Sequence, residues 1–145
     1  MTIKHNGKSY EELNIGDEAS FTKIISEEDE RMFIEITEDS NPIHVDEEYA
    51  KKTIFKTKIV HGWFTESLIS TTLGTKLPGH GTIVVGLTCR YKAPTFIGDT
   101  ITAKVIVKEK IEEKQWIMLE AVWKNQNNKV VIEGEVTVIP PLFIA

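Results

Sequence analysis

Ile59-Val60-His61-Gly62-Trp63-Phe64-Thr65-Glu66-Ser67-Leu68-Ile69-Ser70-Thr71-Thr72-Leu73-Gly74 decides the fold, together with the earlier run Thr37-Glu38-Asp39-Ser40-Asn41-Pro42-Ile43-His44-Val45-Asp46. Phe64, Leu68, Ile69 and Leu73 recur at helical spacing, which predicts a helix from Gly62 to about Gly74. Its other positions are mostly small hydroxyls: Thr65, Ser67, Ser70, Thr71 and Thr72. Such side chains can bond back to carbonyls one turn earlier and so tolerate burial. Glu66 is the only charge in the run.

Upstream of this helix the signals are shorter. Residues 1–16 read as a loose lead-in ending in the turn Ile15-Gly16-Asp17, and weak alternation over 19–25 predicts a first strand. Ser26-Glu27-Glu28-Asp29 is a helix start, with a hydroxyl cap and an acid three residues on. Met32, Phe33 and Ile36 give that helix its expected apolar side. It should stop near Thr37 or Glu38, because Asn41-Pro42 soon imposes extended geometry. Asp46-Glu47-Glu48-Tyr49-Ala50-Lys51 predicts another short capped helix, and 52–58 a basic loop.

Downstream the period changes to two. Ile83, Val85, Leu87, Cys89 and Tyr91 alternate with other residues, as do Ile101, Ala103, Val105 and Val107. Trp116-Ile117-Met118-Leu119 continues to Trp123, Asn127-Asn128 signals a hairpin, and 130–139 completes the set. The class is α+β: about five antiparallel strands, curved around one central helix, which is the hot-dog arrangement. One helix cannot cover both faces of such a sheet, so exposed edges and apolar surface favour a dimer.

With 145 residues the chain is expected to form a single domain, 1–145. A net charge of −5 argues against a nucleic-acid surface, and the lone Cys89 excludes an internal disulfide and a cysteine-based zinc site. The start has no apolar leader and no apolar run approaches the ~18 residues of a membrane helix, so a cytoplasmic protein is expected.

Asp39 and His44 lie five residues apart across the stiff Asn41-Pro42, positioned to share one water. A carboxylate beyond a helix C-terminus meets partial negative charge and is a somewhat stronger base. Such a pair can take a proton from water and deliver another. The plain alternative makes Asp39 and Asn41 turn formers and His44 a satisfied buried histidine. Gly62, in the first turn of a buried helix, can offer a backbone N–H to an oxyanion; alternatively it merely permits a tight turn into the helix. His61 is expected to hold the loop.

Asp39-Ser40-Asn41-Pro42-Ile43-His44, Ile59-Val60-His61-Gly62, Leu77-Pro78-Gly79-His80-Gly81, Tyr91-Lys92-Ala93-Pro94 and Gly98-Asp99, in this order, resemble the MaoC-like, (R)-specific enoyl-CoA hydratase family. The resemblance implies a hot-dog homodimer that hydrates trans-2-enoyl-CoA or dehydrates (R)-3-hydroxyacyl-CoA. Asp39 and His44 would match its catalytic pair and Gly62 its oxyanion donor, with no metal and no cofactor. Asn41, His61, Trp63, Ser70 and Leu73 are the expected substrate-binding residues. Ser70 and Leu73, two and three turns past Gly62, would wall a pocket for short acyl chains. Bulky Trp63 and charged Glu66 depart from the family pattern.

Three rivals carry different expectations. A thioesterase of the same fold would use Glu66 on the central helix. A non-catalytic acyl-CoA or acyl-carrier-protein binding module would need no Asp39–His44 pair. A metal site from Asp39, His44 and His61 lacks the usual His-x-His or Glu-x-x-His spacing. Coenzyme A phosphates could meet Lys51, Lys52, Lys56 and Lys58, or Arg90 and Lys92.

Overall fold

The computed structural model describes residues 5–143. A single five-stranded antiparallel sheet has the order β1-β3-β4-β5-β2. These strands are β1 (Glu18–Ile24), β2 (Ile83–Tyr91), β3 (Thr100–Ile111), β4 (Trp116–Lys124) and β5 (Val130–Ile139). Four helices stand between β1 and β2: α1 (Glu27–Thr37), α2 (Pro42–Val45), α3 (Glu47–Ala50) and the long α4 (Gly62–Thr75). This is the hot-dog arrangement expected from the sequence.

The alternation over β3 and β4 produces the core. Ile101, Ala103, Val105 and Val107 of β3 and Ile117, Leu119, Ala121 and Trp123 of β4 are fully buried. Leu68, Ile69 and Leu73 of α4 pack into the same cluster, each large side chain so buried contributing about 1.5–3 kcal/mol. Polar bonds fix how α4 lies on the sheet. Thr72 Oγ1 donates to the Ala103 carbonyl (2.9 Å), and Trp123 Nε1–H donates to the Glu66 carbonyl (3.3 Å). Thr65 and Thr95 share a buried hydroxyl–hydroxyl bond of 2.8 Å. The hydroxyls of α4 are therefore satisfied partly by other elements, as their burial requires.

β4 and β5 meet in the hairpin signalled by the two asparagines, with Asn128 at φ 60° and its N–H bonded to the Asn125 carbonyl (3.0 Å). Asparagine tolerates that left-handed backbone because its side chain bonds locally.

Two expectations are corrected. The lead-in is not loose where it is described: Leu13 is fully buried, Lys8 N–H donates to the Pro78 carbonyl (2.8 Å) and Asn6 Nδ2 donates to the Thr75 carbonyl (2.8 Å). Residues 1–4 of that lead-in lie outside the described residues. On α1, Met32 and Ile36 do not face the core but are 54% and 83% exposed, while Glu30 is buried. The inward face of α1 is set by a polar partner, His61, which an apolar periodicity cannot report.

Candidate active site

The helices deliver one side of the site through short-range bonds. A reciprocal cap starts α1: Asp29 N–H donates to Ser26 Oγ (3.1 Å) and Ser26 N–H donates to Asp29 Oδ2 (2.9 Å). The helix ends as Glu38 adopts φ 60°, its N–H donating to the Ile34 carbonyl (2.8 Å). Asp39 N–H then donates to Thr37 Oγ1 (3.2 Å), and Asp39 Oδ1 accepts the Asn41 N–H (3.1 Å). Asn41 caps α2, its Oδ1 accepting the Ile43 N–H (3.3 Å), with Pro42 at the first helical position. These turns bring His44 round to Asp39 in five residues.

His44 is fixed by its Nδ1, 2.7 Å from the Ile59 carbonyl. A carbonyl only accepts, so Nδ1 carries the hydrogen and Nε2 is left as the acceptor in the neutral ring. The two rings of His44 and His61 stack with centroids 3.7 Å apart.

His61 is the N-cap of α4 and only 3% exposed. Its ring Nδ1 lies 2.7 Å from Glu30 Oε2 and its backbone N–H donates to Glu30 Oε1 (2.8 Å). Its Nε2 faces the Asp39 carbonyl (3.1 Å) and Asp39 Oδ2 (3.4 Å). No backbone partner for the Gly62 N–H or Trp63 N–H is found among the described residues. The start of α4 thus presents unpaired donors at its positive end. Gly62 sits in close approach to a side chain of β2: a Cβ there would lie 2.9 Å from Cε1 of Tyr91, so the ring would have to shift.

Phe33, Thr37, Asp39, His44, His61, Gly62 and Trp63 line a hollow of about 360 Å³. A second hollow of about 370 Å³ shares Gly62 and is mostly apolar, with Phe55, Val60, Tyr91, Pro94 and Ile132 in its wall. Of the residues expected from sequence, Asp39, His44, His61, Gly62 and Trp63 therefore meet around one space. The other three do not reach it. Asn41 is spent capping α2; Ser70 is exposed; Leu73 is committed to the core against the sheet and lines neither hollow. Glu30 and Tyr91 are the contacts that sequence reasoning left out. A buried acid on a helix face carries no periodic signal until its partner is known.

Asp39, His44 and His61 each place a potential ligand atom within 4.8 Å of the others, closer than their sequence spacing suggested. Both ring nitrogens of His61 are already committed to oxygen partners, so this trio is not assigned as a metal site. Glu66 points away from the hollow toward β2, accepting from Tyr91 Oη (2.7 Å) and Cys89 Sγ (2.9 Å). Burial, and then the hydrogen bond to Glu66, push the Cys89 thiol up to about 11 and raise the Tyr91 hydroxyl as well.

This sheet, helix and polar hollow define a hot-dog fold with an acid–imidazole centre, and the chain belongs to the family of the MaoC like domain, which matches residues 12–129. It is 45% identical over 132 residues to an (R)-specific enoyl-CoA hydratase of Rhodospirillum rubrum, covering 91% of each chain. It is 42% identical over 132 residues to a 3-hydroxybutyryl-CoA dehydratase of Methylorubrum extorquens, covering 91% of this chain and 83% of that one. Among solved structures it is similar to the R-hydratase PhaJ1 of Pseudomonas aeruginosa, with a TM-score of 0.84 at 36% identity, over 94% of this chain and 91% of that one.

Proposed function

We propose that the chain hydrates trans-2-enoyl-CoA to (R)-3-hydroxyacyl-CoA and catalyses the reverse dehydration. The observation that carries this reading is the hollow in which the Asp39 carboxylate and the His44 ring stand beside the unpaired Gly62 N–H. The thioester carbonyl lies at the Gly62 N–H, so that enolate charge builds on its oxygen and C3 becomes electrophilic. Asp39 takes a proton from a water oriented by the Nε2 lone pair of His44. The water oxygen bonds to C3, the C2–C3 double bond supplies electrons to the enolate, and a proton returned by the pair to C2 restores the carbonyl. One water is thereby added across one double bond. The apolar hollow that shares Gly62 is the natural place for the acyl tail.

Glu66 gives the thioesterase alternative no support, because its carboxylate is engaged by Tyr91 and Cys89 rather than turned to the hollow. An acyl-carrier-protein thioester would present the same reacting atoms as acyl-CoA. A homodimer is part of the reading: β2 is a sheet edge with Ile83, Val84 and Val85 exposed, and a second copy would cover it. Sedimentation equilibrium should give a dimer at micromolar concentration, and a monomer would remove that part.

Loss of enoyl absorbance with crotonyl-CoA, followed by chiral analysis, tests the reaction itself. The expected product is (R)-3-hydroxybutyryl-CoA. An (S) product, or release of free thiol without hydration, would contradict it.

A further inference from the structure

The apolar hollow that begins at Gly62 presents mainly carbon to whatever enters it. Thr65 and Thr95 line it, but their hydroxyls are bonded to each other (2.8 Å), and the Lys92 ammonium is paired with Glu133 (3.6 Å). Beside Gly62 the wall is the ring of Tyr91.

That ring is held at both ends. Cε1 and Cδ1 lie over Gly62, 2.9 and 3.1 Å from the place a Cβ would take there, and the hydroxyl donates to Glu66 Oε1 (2.7 Å). Burial, and then the bond to Glu66, raise the hydroxyl above its ordinary value, so it stays protonated and keeps donating. The backbone beneath is fixed as well: Tyr91 pairs with Ile132 of β5, and the next residue, Lys92, donates its N–H to the Val131 carbonyl (2.8 Å). Gly62 and Glu66 are four residues apart on α4, about 6 Å at the rise of an α-helix. The Tyr91 ring therefore lies along the first turn of α4.

We propose that Tyr91 is a specificity-determining residue that limits the width of the acyl group next to the thioester, admitting an unbranched 2-enoyl chain and excluding one with a methyl group on C2. The inference rests on the hydratase reading, which sets the thioester carbonyl at the Gly62 N–H. A tail that starts there runs beside the ring over its first carbons, whatever its final length. A ring anchored on Gly62 and on Glu66 cannot swing aside for an extra methyl without giving up the Glu66 bond or moving the end of β2. In a close-packed wall even one such group is felt. Tyr91 thus reads branching rather than chain length.

The test compares kcat/KM for crotonyl-CoA, its 2-methyl derivative tigloyl-CoA, and octenoyl-CoA. The wild type should prefer crotonyl-CoA to tigloyl-CoA. Tyr91→Ala should raise the tigloyl-to-crotonyl ratio by about tenfold to a hundredfold, the weight of a methylene-sized misfit in an apolar pocket, and move the octenoyl-to-crotonyl ratio far less. Tyr91→Phe keeps the ring and should keep most of the discrimination. An unchanged tigloyl ratio in folded Tyr91→Ala, an equal gain for octenoyl-CoA, or a Tyr91→Phe shift as large as that of Tyr91→Ala would each overturn the proposal. Should Tyr91→Ala fail to fold, Tyr91→Leu removes the ring, keeps an apolar side chain on β2 and carries the same expectation. Binding of isobutyryl-CoA relative to butyryl-CoA, saturated thioesters that cannot be hydrated, reads the hollow without the reaction. Removing the ring should raise the relative affinity for isobutyryl-CoA. A wild type that hydrates none of the three enoyl thioesters would overturn the hydratase reading, and the binding ratio would then decide the role of Tyr91: unchanged without the ring, it would overturn that role too.

Discussion

The two sides of the site are built differently. Asp39 stands on the turn after α1 and His44 on the short α2 that follows, where each bond spans only a few residues: Thr37 to Asp39, Asp39 to Asn41, Asn41 to Ile43. His61 and Gly62 stand at the buried start of α4, held by residues far away in sequence. Glu30 reaches His61 across 31 residues, and Tyr91 of β2 lies directly over Gly62. The Asp39 side chain is 49% exposed and that of His61 is 3% exposed. The proposed water chemistry falls on the accessible turn, while His61 and Gly62 are locked into the core.

Substitution should expose that contrast. Asp39→Asn or His44→Ala should each lower kcat by on the order of 10²–10⁴, the usual weight of a positioned acid or base. Stability should change little with Asp39→Asn, since the turn is locally bonded and accessible. Near-wild-type turnover in either variant would remove the proposed chemistry. Gly62→Ala should act on both properties. Its new methyl meets the Tyr91 ring, so overpacking should cost about 1–3 kcal/mol in thermal or urea unfolding as well as reducing turnover. Tyr91→Ala in the same chain should recover stability, and failure to do so would mean that the loss does not come from this contact.

The smallest effect concerns Cys89, on the β2 side of α4. Its thiol lies above its ordinary value of 9.0, at about 11, because of burial and then the bond to Glu66. A raised value in the folded state contributes stability that is fully present below the unfolded value and is lost as pH rises through the folded one. Stability should therefore decline between about 9 and about 11, and iodoacetamide should label the native thiol slowly at pH 9. Glu66→Gln should speed labelling and leave crotonyl-CoA hydration intact; slower labelling, or lost hydration, would contradict this placement of Glu66.

How far the sequence was legible follows the same division. The strands of β3 and β4, the capping box at Ser26 and the Asp39–His44 turn rest on short-range patterns, and those were readable as they stand. The face of α1 was not. Met32 and Ile36 fit an apolar stripe, yet the helix turns Glu30 inward because a buried histidine waits there. Ser70 and Leu73 follow the period from Gly62, but period alone does not say which side of α4 the sheet occupies. Thr72 bonded to the Ala103 carbonyl shows that this part of the helix lies on β3. Leu13 went unseen for a related reason: one buried side chain in an irregular segment has no period to announce it.

A double-mutant cycle on kcat tests most directly whether Asp39 and His44 act as one unit on one water. Crotonyl-CoA hydration would be measured for Asp39→Asn, His44→Ala and the double variant under identical conditions. The double variant should be about as slow as the slower single one, because removing either group already disables the shared water. Losses that multiply, each group contributing independently of the other, would contradict it.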